Sequence, residues 1–259
     1  MGKIVAIANQ KGGVGKTTTA VNLASAIGRS GKKVLMIDID PQGNATSGLG
    51  INKRGISLST YNLMIADVKT TDVLLKTEFK NLDLLPSNMS LAGVEIELVE
   101  LPERVYRLKQ AIAPLKDSYD YIFIDCPPSL GLITLNGLAV ADSLLVPIQC
   151  EYYALEGLSQ LIATVRQVKR MYNPDIEIEG VLLTMYDSRL NLTSQVLSEV
   201  KRHFPDKVYK TVIPRNVRLS EAPSYGQPIQ YFDQSSRGAS AYDDLAREFL
   251  LKQRKRGSN

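Results

Sequence analysis

KIVAIANQKGGVGKTTTAVNLASAIGRS, residues 3–30, is the stretch from which the fold is read. Its first part, Ile4 to Asn9, is a short apolar run of strand character. Its last part, from Lys16 to Ser30, has the composition and spacing of a helix. Between them lies KGGVGKTT, residues 11–18. Glycines let a chain turn tightly enough for consecutive backbone N–H groups to converge on an oxyanion. The helix that starts at the end of the turn adds its partial positive charge. Gly12, Gly13, Val14, Gly15, Lys16, Thr17 and Thr18 are therefore expected to bind ATP, with Lys11 at the edge of the loop open to either a phosphate contact or plain solvation. Lys16 neutralises the β and γ phosphates, and the Thr17 hydroxyl is placed to ligate Mg²⁺. The usual phosphate-loop pattern has glycine five positions before Gly15. Gln10 stands there instead, and a second lysine, Lys11, sits at the mouth of the loop.

Outward from this unit the chain alternates short apolar runs with longer amphipathic ones. Strands are expected at Val34 to Asp38, Leu82 to Pro86, Tyr121 to Asp125, Ser143 to Pro147, Gly180 to Met185 and Val208 to Ile213. Helices are expected at Pro102 to Leu115, Ile133 to Ala139, Leu155 to Tyr172, Thr193 to His203 and Ala239 to Lys252. Most strands are continuous apolar runs, as in sheets covered on both faces. The pattern predicts a doubly wound α/β fold with a mainly parallel twisted sheet flanked by helices, a P-loop NTPase. Residues 1–251 are expected to form one domain, and 252–259 (KQRKRGSN) a basic flexible tail.

In such sheets ligands bind beyond the C-terminal strand ends. Two acidic segments fall there. IDIDPQGN, residues 37–44, brings Asp38 and Asp40 near the loop, and IFIDCPPS, residues 122–129, ends its apolar run on Asp125. Asp125 has the setting of a carboxylate that holds Mg²⁺ directly or through water. For Asp40 two roles stay open, capping the turn at Pro41 or orienting an attacking water.

Composition narrows the class. The 259 residues are 44% apolar and 22% charged, ordinary for a globular protein. The N-terminal apolar run is too short for a signal-peptide core, and no apolar stretch is long enough to span a bilayer, so a cytoplasmic protein is expected. Two cysteines, Cys126 and Cys150, and one histidine, His203, make a disulfide framework, a zinc site or a histidine triad a poor reading. Nor do the cysteines have the context of iron–sulfur ligands. The guanine-reading Asn-Lys-x-Asp motif is missing, since Asn52-Lys53-Arg54-Gly55 stops short of the aspartate. The net charge of +4 is unevenly placed: residues 1–159 hold 15 basic and 16 acidic side chains, residues 160–259 hold 16 and 11. That excess is either a polyanion-facing surface or a solvated basic face.

NQKGGVGKTT (9–18), DIDPQGNATSGLG (38–50), DCPPSLG (125–131), QCEYYALEGL (149–158) and VIPRNVRLSEAPS (212–224) together resemble the ParA/Soj partitioning ATPases of the deviant Walker A group. The likeness runs from Met1 to about Leu251. It is nearest the short chromosomal Soj type, because no helix-turn-helix extension precedes the loop. The resemblance implies a slow, Mg-dependent ATPase that forms a homodimer around ATP. Lys11 would reach the partner's phosphates, Lys11, Lys16 and Asp40 would serve hydrolysis with Asp40 positioning the water, and Pro214 and Asn216 would flank the adenine. It also implies non-specific binding to double-stranded DNA through Arg189 and Arg218, with Lys201, Arg202 and Arg215 as further candidates. A ParB/Spo0J-type centromere-binding partner would stimulate hydrolysis, and the protein would be nucleoid-associated with no membrane partner. The alternative in the same group is a MinD-like membrane switch. Its targeting helix would be the terminal segment bearing Leu245, Phe249 and Leu250.

Overall fold

Alternate residues of each central strand enter two separate apolar layers. Ile4, Ala6, Leu35, Ile37, Ile122 and Ile124 face one layer. Val5, Ile7, Val34, Met36 and Phe123 face the other. Both faces are covered, so the strands read as unbroken apolar runs. The computed structural model describes residues 2–151 and 154–256.

Seven strands are described: β1 (Lys3–Ile7), β2 (Val34–Asp38), β3 (Leu75–Lys76), β4 (Leu82–Leu85), β5 (Tyr121–Asp125), β6 (Ser143–Gln149) and β7 (Glu177–Thr184). They lie side by side in the order β3-β4-β2-β5-β1-β6-β7. All pairings are parallel except β3 with β4. The helices of the first half are α1 (Lys16–Arg29), α2 (Asn44–Gly48), α3 (Thr60–Ile65), α4 (Thr70–Val73), α5 (Val94–Glu97) and α6 (Arg107–Ile112). Those of the second half are α7 (Leu132–Val140), α8 (Ala154–Met171), α9 (Asn191–His203), α10 (Val217–Glu221), α11 (Ile229–Phe232) and α12 (Arg237–Arg256). The doubly wound fold expected from the sequence is the fold observed.

Three expectations are corrected. Val208–Ile213 is not a strand of the sheet. It runs beside β7 without a continuous ladder: Val208 bridges Val181, the Ile213 amide donates to the Leu183 carbonyl at 2.9 Å, and just beyond both segments Tyr186 bridges Pro214. The Glu248 carboxylate accepts the backbone N–H groups of Lys210 and Thr211, both at 2.9 Å, so those donors are withdrawn from any ladder. The helix expected from Pro102 to Leu115 shortens to α6. Pro114 then opens a 3₁₀ segment, Ala113–Ser118, because it has no N–H to continue the α pattern.

The third correction is at the C-terminal end, where α12 runs to Arg256, past the expected start of a flexible tail at Lys252. Lys252 sits 3.7 Å from the Tyr209 ring and pairs with Glu248, while Gln253 exchanges hydrogen bonds with Glu179 and Lys3. The apolar face of α12 is spent on the sheet. Leu245 and Phe249 are fully buried, and the Phe249 ring meets Tyr121 edge-on at 5.3 Å. Among the described residues no helix is long and apolar enough to cross a membrane.

Glu248 therefore joins α12 to the 208–213 segment. Burial pushes its carboxyl up, but the amides of Lys210 and Thr211, the Thr211 hydroxyl and Lys252 outweigh burial and leave it below the ordinary 4.5. A depressed acid stabilises the fold above its unfolded value and ceases to do so as pH falls through the folded one. Glu248→Ala should cost about 1–3 kcal/mol at pH 7, because two amides lose their acceptor. The deficit should shrink below pH 4.5, as read by urea unfolding across that range.

Candidate functional site

The loop after β1 folds as the sequence predicts. Gly13 and Gly15 take φ of 76° and 84°, a left-handed backbone that costs a side-chain-bearing residue about 1–2 kcal/mol. Gly15 is the N-cap of α1, and no side chain caps that helix start. Its amides and dipole are directed at the space above the loop, the arrangement that suits a phosphate. Lys16 is buried, and its ammonium donates to the Lys11 carbonyl at 3.0 Å, folding the loop over itself. Burial lowers the Lys16 pKa from 10.5, and the nearby Asp125 and Asp40 charges work against that fall.

Three carboxylates meet this loop from the neighbouring strands. Asp38 and Asp125 are register partners at the ends of β2 and β5, and Ile7 of β1 is paired with Asp125 on the other side. Both acids are fully buried. Asp38 accepts from the Thr46 amide at 2.8 Å, the Thr46 hydroxyl at 2.7 Å and the Asp40 amide at 3.1 Å. Burial still pushes its carboxyl up to about 6. Among the described residues Asp125 accepts only from the Thr17 hydroxyl, at 2.7 Å, through Oδ2, and its buried Oδ1 has no partner. Burial and then the Asp38 charge push the Asp125 carboxyl well above the ordinary range.

An unsatisfied oxygen on a buried carboxylate, beside a threonine hydroxyl, suits a hard cation that takes oxygen ligands. The residues present therefore fit Mg²⁺ held jointly with a nucleotide's phosphates. Among the described residues no group of three or more His, Cys, Asp or Glu side chains could hold a metal by itself.

Of the two roles the sequence left open for Asp40, the turn cap is visible in the hydrogen bonds. The Asp40 Oδ1 accepts the Gln42 amide at 2.9 Å, which caps the turn, while its proximity to Lys16 places it in the site. Ser87 donates to the Asp40 carbonyl at 2.7 Å, and the Ser87 amide donates to Thr46 at 2.9 Å. Lys11 does not point into the loop. It forms an ion pair with Glu151, whose other oxygen accepts from Gln149.

Pro214 and Asn216 border a cleft of about 340 Å³ with Gly15, Thr18, Thr184 and Tyr242, directly beside the phosphate loop. Asn216 Oδ1 caps α10 by accepting the Arg218 amide at 2.8 Å, which leaves its NH₂ group for other contacts. Thr184, Ser87 and Glu151 were missed by sequence reasoning. Thr184 ends β7 and donates to the Val14 carbonyl at 2.8 Å. A threonine at a strand end carries no signal by itself. Glu151 lies inside QCEYYALEGL, the quoted segment that could have found it.

The basic candidates separate. Arg189 is exposed and paired through two nitrogens with Asp187, at 2.9 and 2.7 Å. The hydrogen bonds from Arg189 hold the Asp187 carboxyl near 2. Arg215 is exposed, and its charge also acts on Asp187, so these two arginines share one surface. Arg218 is pinned between Glu221 at 2.9 Å and Asp233 at 3.1 Å, over the Phe232 ring. Lys201 and Arg202 are exposed at the far end of the 13-residue α9, roughly 15–20 Å along that helix from the Arg189 end.

A wider groove of about 930 Å³ lies on α12, with Lys210, Arg237 and Lys255 on its walls. Cys126 and Cys150 are both buried free thiols, and burial raises each above its ordinary value.

Comparison with known proteins agrees with this geometry. The family described as "AAA domain" matches residues 2–178. Sporulation initiation inhibitor protein Soj of Bacillus subtilis (strain 168) is 60% identical over 248 residues, covering 96% of this chain and 98% of that protein. Chromosome partitioning protein ParA of Myxococcus xanthus (strain DK1622) is 52% identical over 250 residues, covering 96% and 88%. Among solved structures, cobyrinic acid a,c-diamide synthase from Mycobacterium smegmatis with bound ATP analog and magnesium superposes with a TM-score of 0.88 at 38% identity, covering 99% of this chain and 97% of that one. With its phosphate loop, its paired strand-end aspartates and these near full-length relatives, the chain belongs to the Soj/ParA family of chromosome-partitioning P-loop ATPases.

Proposed function

We propose that this chain is an ATP-driven dimerising switch that holds DNA without sequence preference and acts in chromosome or plasmid partition. The observation that carries the proposal is the placement of two lysines on one loop, one buried within it and one turned outward. Lys16, the loop amides and the start of α1 bind the triphosphate. Thr17 and Asp125 hold Mg²⁺, which when bound screens the phosphate charge. The adenine lies in the cleft by Pro214 and Asn216. Asp40 orients the attacking water, since phosphoryl transfer rests on positioning and electrostatics.

Lys11 completes the site across a homodimer. In a single subunit its charge is satisfied by Glu151. In the closed pair it exchanges that carboxylate for the partner's phosphates, in the manner of an arginine finger. The dimer doubles the DNA-facing arginines, so that ATP governs DNA association through valency. Non-specific contact is to phosphates and weakens steeply with salt. Arg189 and Arg215 form the centre of that surface. A ParB-type protein accelerates hydrolysis, which returns the subunits to the unbound state. The working location is the nucleoid.

Sedimentation, turnover and DNA binding with ATP test this reading. Asp40→Ala should dimerise but lose about 10²–10⁴-fold in turnover. Gly12→Val should fold and bind ATP yet stay monomeric. A Cβ at residue 12 meets nothing within 4 Å in its own subunit, so the harm must come from the partner. Lys16→Ala should lose ATP-dependent DNA binding, and retention of it would refute the switch.

The ion pair on Arg189 gives a sharper test. Asp187→Asn frees that arginine, so the ATP-bound protein should hold DNA several-fold more tightly, with a salt slope steeper by about one. Arg189→Ala should weaken binding in the same fluorescence anisotropy assay.

A further inference from the structure

The stretch between Ser87 and Glu103 has apolar side chains on two opposite faces. Leu91, Val94 and Leu98 are fully buried and join the core. Met89, Ile96 and Val99 point the other way and are 61%, 78% and 47% exposed. Single exposed apolar residues are ordinary, but three within eleven residues make a patch. Its rim is acidic. Glu95, Glu97, Glu100 and Glu103 lie along the same stretch, and among the described residues none has a cationic partner within an ion pair. Glu97 and Glu103 accept hydrogen bonds from neutral groups, the Tyr61 hydroxyl and the Gln110 amide. Arg104, the nearest cation in sequence, is turned onto the Val99 carbonyl at 3.0 Å.

The start and the middle of this stretch grip the two loops that carry the catalytic-site carboxylates. Ser87 donates to the Asp40 carbonyl at 2.7 Å. Glu95 accepts the Leu132 and Ile133 amides, at 2.8 and 3.3 Å, and so caps α7 directly after the loop that leaves Asp125. The approach is close enough that a Cβ on Gly131 would fall 2.3 Å from a Glu95 oxygen, so a side chain there would push this carboxylate aside. A ligand seated on Met89, Ile96 and Val99 would thus bear on a segment tied to both Asp40 and the Asp125 loop.

We infer that the Met89–Val99 face is the docking surface for a basic amphipathic segment of the protein that stimulates hydrolysis. Apolar side chains of that segment cover Met89, Ile96 and Val99, and its lysines or arginines meet Glu97, Glu100 and Glu103. Charge complementarity selects this occupant over an acidic segment or an anionic lipid surface. Glu95 acts as a positioning residue, passing the contact to the N-terminus of α7. The stimulating role rests on the proposed partner; the chemistry of the surface does not.

The test uses a fluorophore on Ile96→Cys, with Leu251→Cys, 56% exposed on α12, as the control position. The probes are two synthetic amphipathic peptides with the same leucines, one carrying lysines and the other glutamates. The lysine peptide should saturate the Ile96 signal and leave the Leu251 signal unchanged, and the glutamate peptide should do neither. Equal response to both peptides, or at both positions, overturns the surface.

A second arm measures turnover with DNA and the ParB-type protein of the same genome. Ile96→Ser/Val99→Ser should keep basal turnover and ATP-dependent dimerisation while its acceleration falls at least about tenfold, as for loss of an interface anchor. Loss of dimerisation in that variant would assign the face to the subunit interface and overturn the proposal, as would full acceleration. Glu95→Gln should keep lysine-peptide binding and lose most of the acceleration; full acceleration would refute the route through α7. If the wild type is not accelerated while the lysine peptide binds, the ParB-type reading fails and the surface stands.

Discussion

Two buried carboxylates standing side by side at the strand ends set the terms for the rest of this molecule. Asp38 and Asp125 are neighbours in register with no exposed surface. Like charges in a dry space raise each other's proton affinity, so each must be compensated or draw in a cation. The protein treats them differently. Asp38 receives three hydrogen bonds and thereby organises the turn that carries Asp40. Asp125 receives one, from the threonine that opens α1, and keeps an unsatisfied oxygen. One acid is an anchor and the other keeps an oxygen open to a ligand, a division made by their hydrogen-bond partners rather than by residue type.

That division explains why the loops beyond the sheet are so closely joined. Thr46 bonds Asp38 with its hydroxyl and receives the Ser87 amide, and Ser87 in turn holds the Asp40 carbonyl. On the opposite side Thr184 reaches the Val14 carbonyl from the end of β7, while Thr19 contacts the Tyr242 hydroxyl of α12 at 3.2 Å. The phosphate loop is therefore fastened to the last third of the chain as well as to its own strand and helix. A change in the charge above the loop has polar routes to both.

Much of this was legible in the sequence, and the remainder was not for identifiable reasons. Continuous apolar runs bounded by glycine and aspartate gave β1, β2 and β5 to within two residues, because burial on both faces leaves little freedom in composition. The tight glycine turn and the buried strand-end place of Asp125 were legible because glycine spacing and an apolar run ending on an acid are local features of sequence. Val208–Ile213 misled because its apolar content matches a strand, while the decisive competitor, Glu248, lies 37 residues or more further on. The short α2, α3 and α4 were absent from the reading, since helices of four to six residues carry too few apolar repeats to show a period. Glu151 and Ser87 act through contacts made only after folding. Arg218 was singled out by resemblance as a DNA-facing cation; that two carboxylates from different turns hold it was not legible, since sequence spacing reveals only one of them, Glu221.

The same ion pairs bear on what kind of device this is. Lys11 rests on Glu151, Arg189 on Asp187, and Arg218 on Glu221 and Asp233. Exposed pairs of this kind contribute about 0–1 kcal/mol, so trading a carboxylate for a phosphate costs little and gains little at any single site. A permanent DNA binder would keep its cations unpaired and collect their full attraction. A cation held by a neighbour of its own subunit binds polyanion weakly alone and usefully only when several act together. In the proposed cycle that sum is reached when ATP brings two subunits into one particle, and it disappears when the triphosphate is cut. In that proposed cycle, weak pairing within the subunit would let nucleotide state, rather than charge alone, decide whether DNA is held.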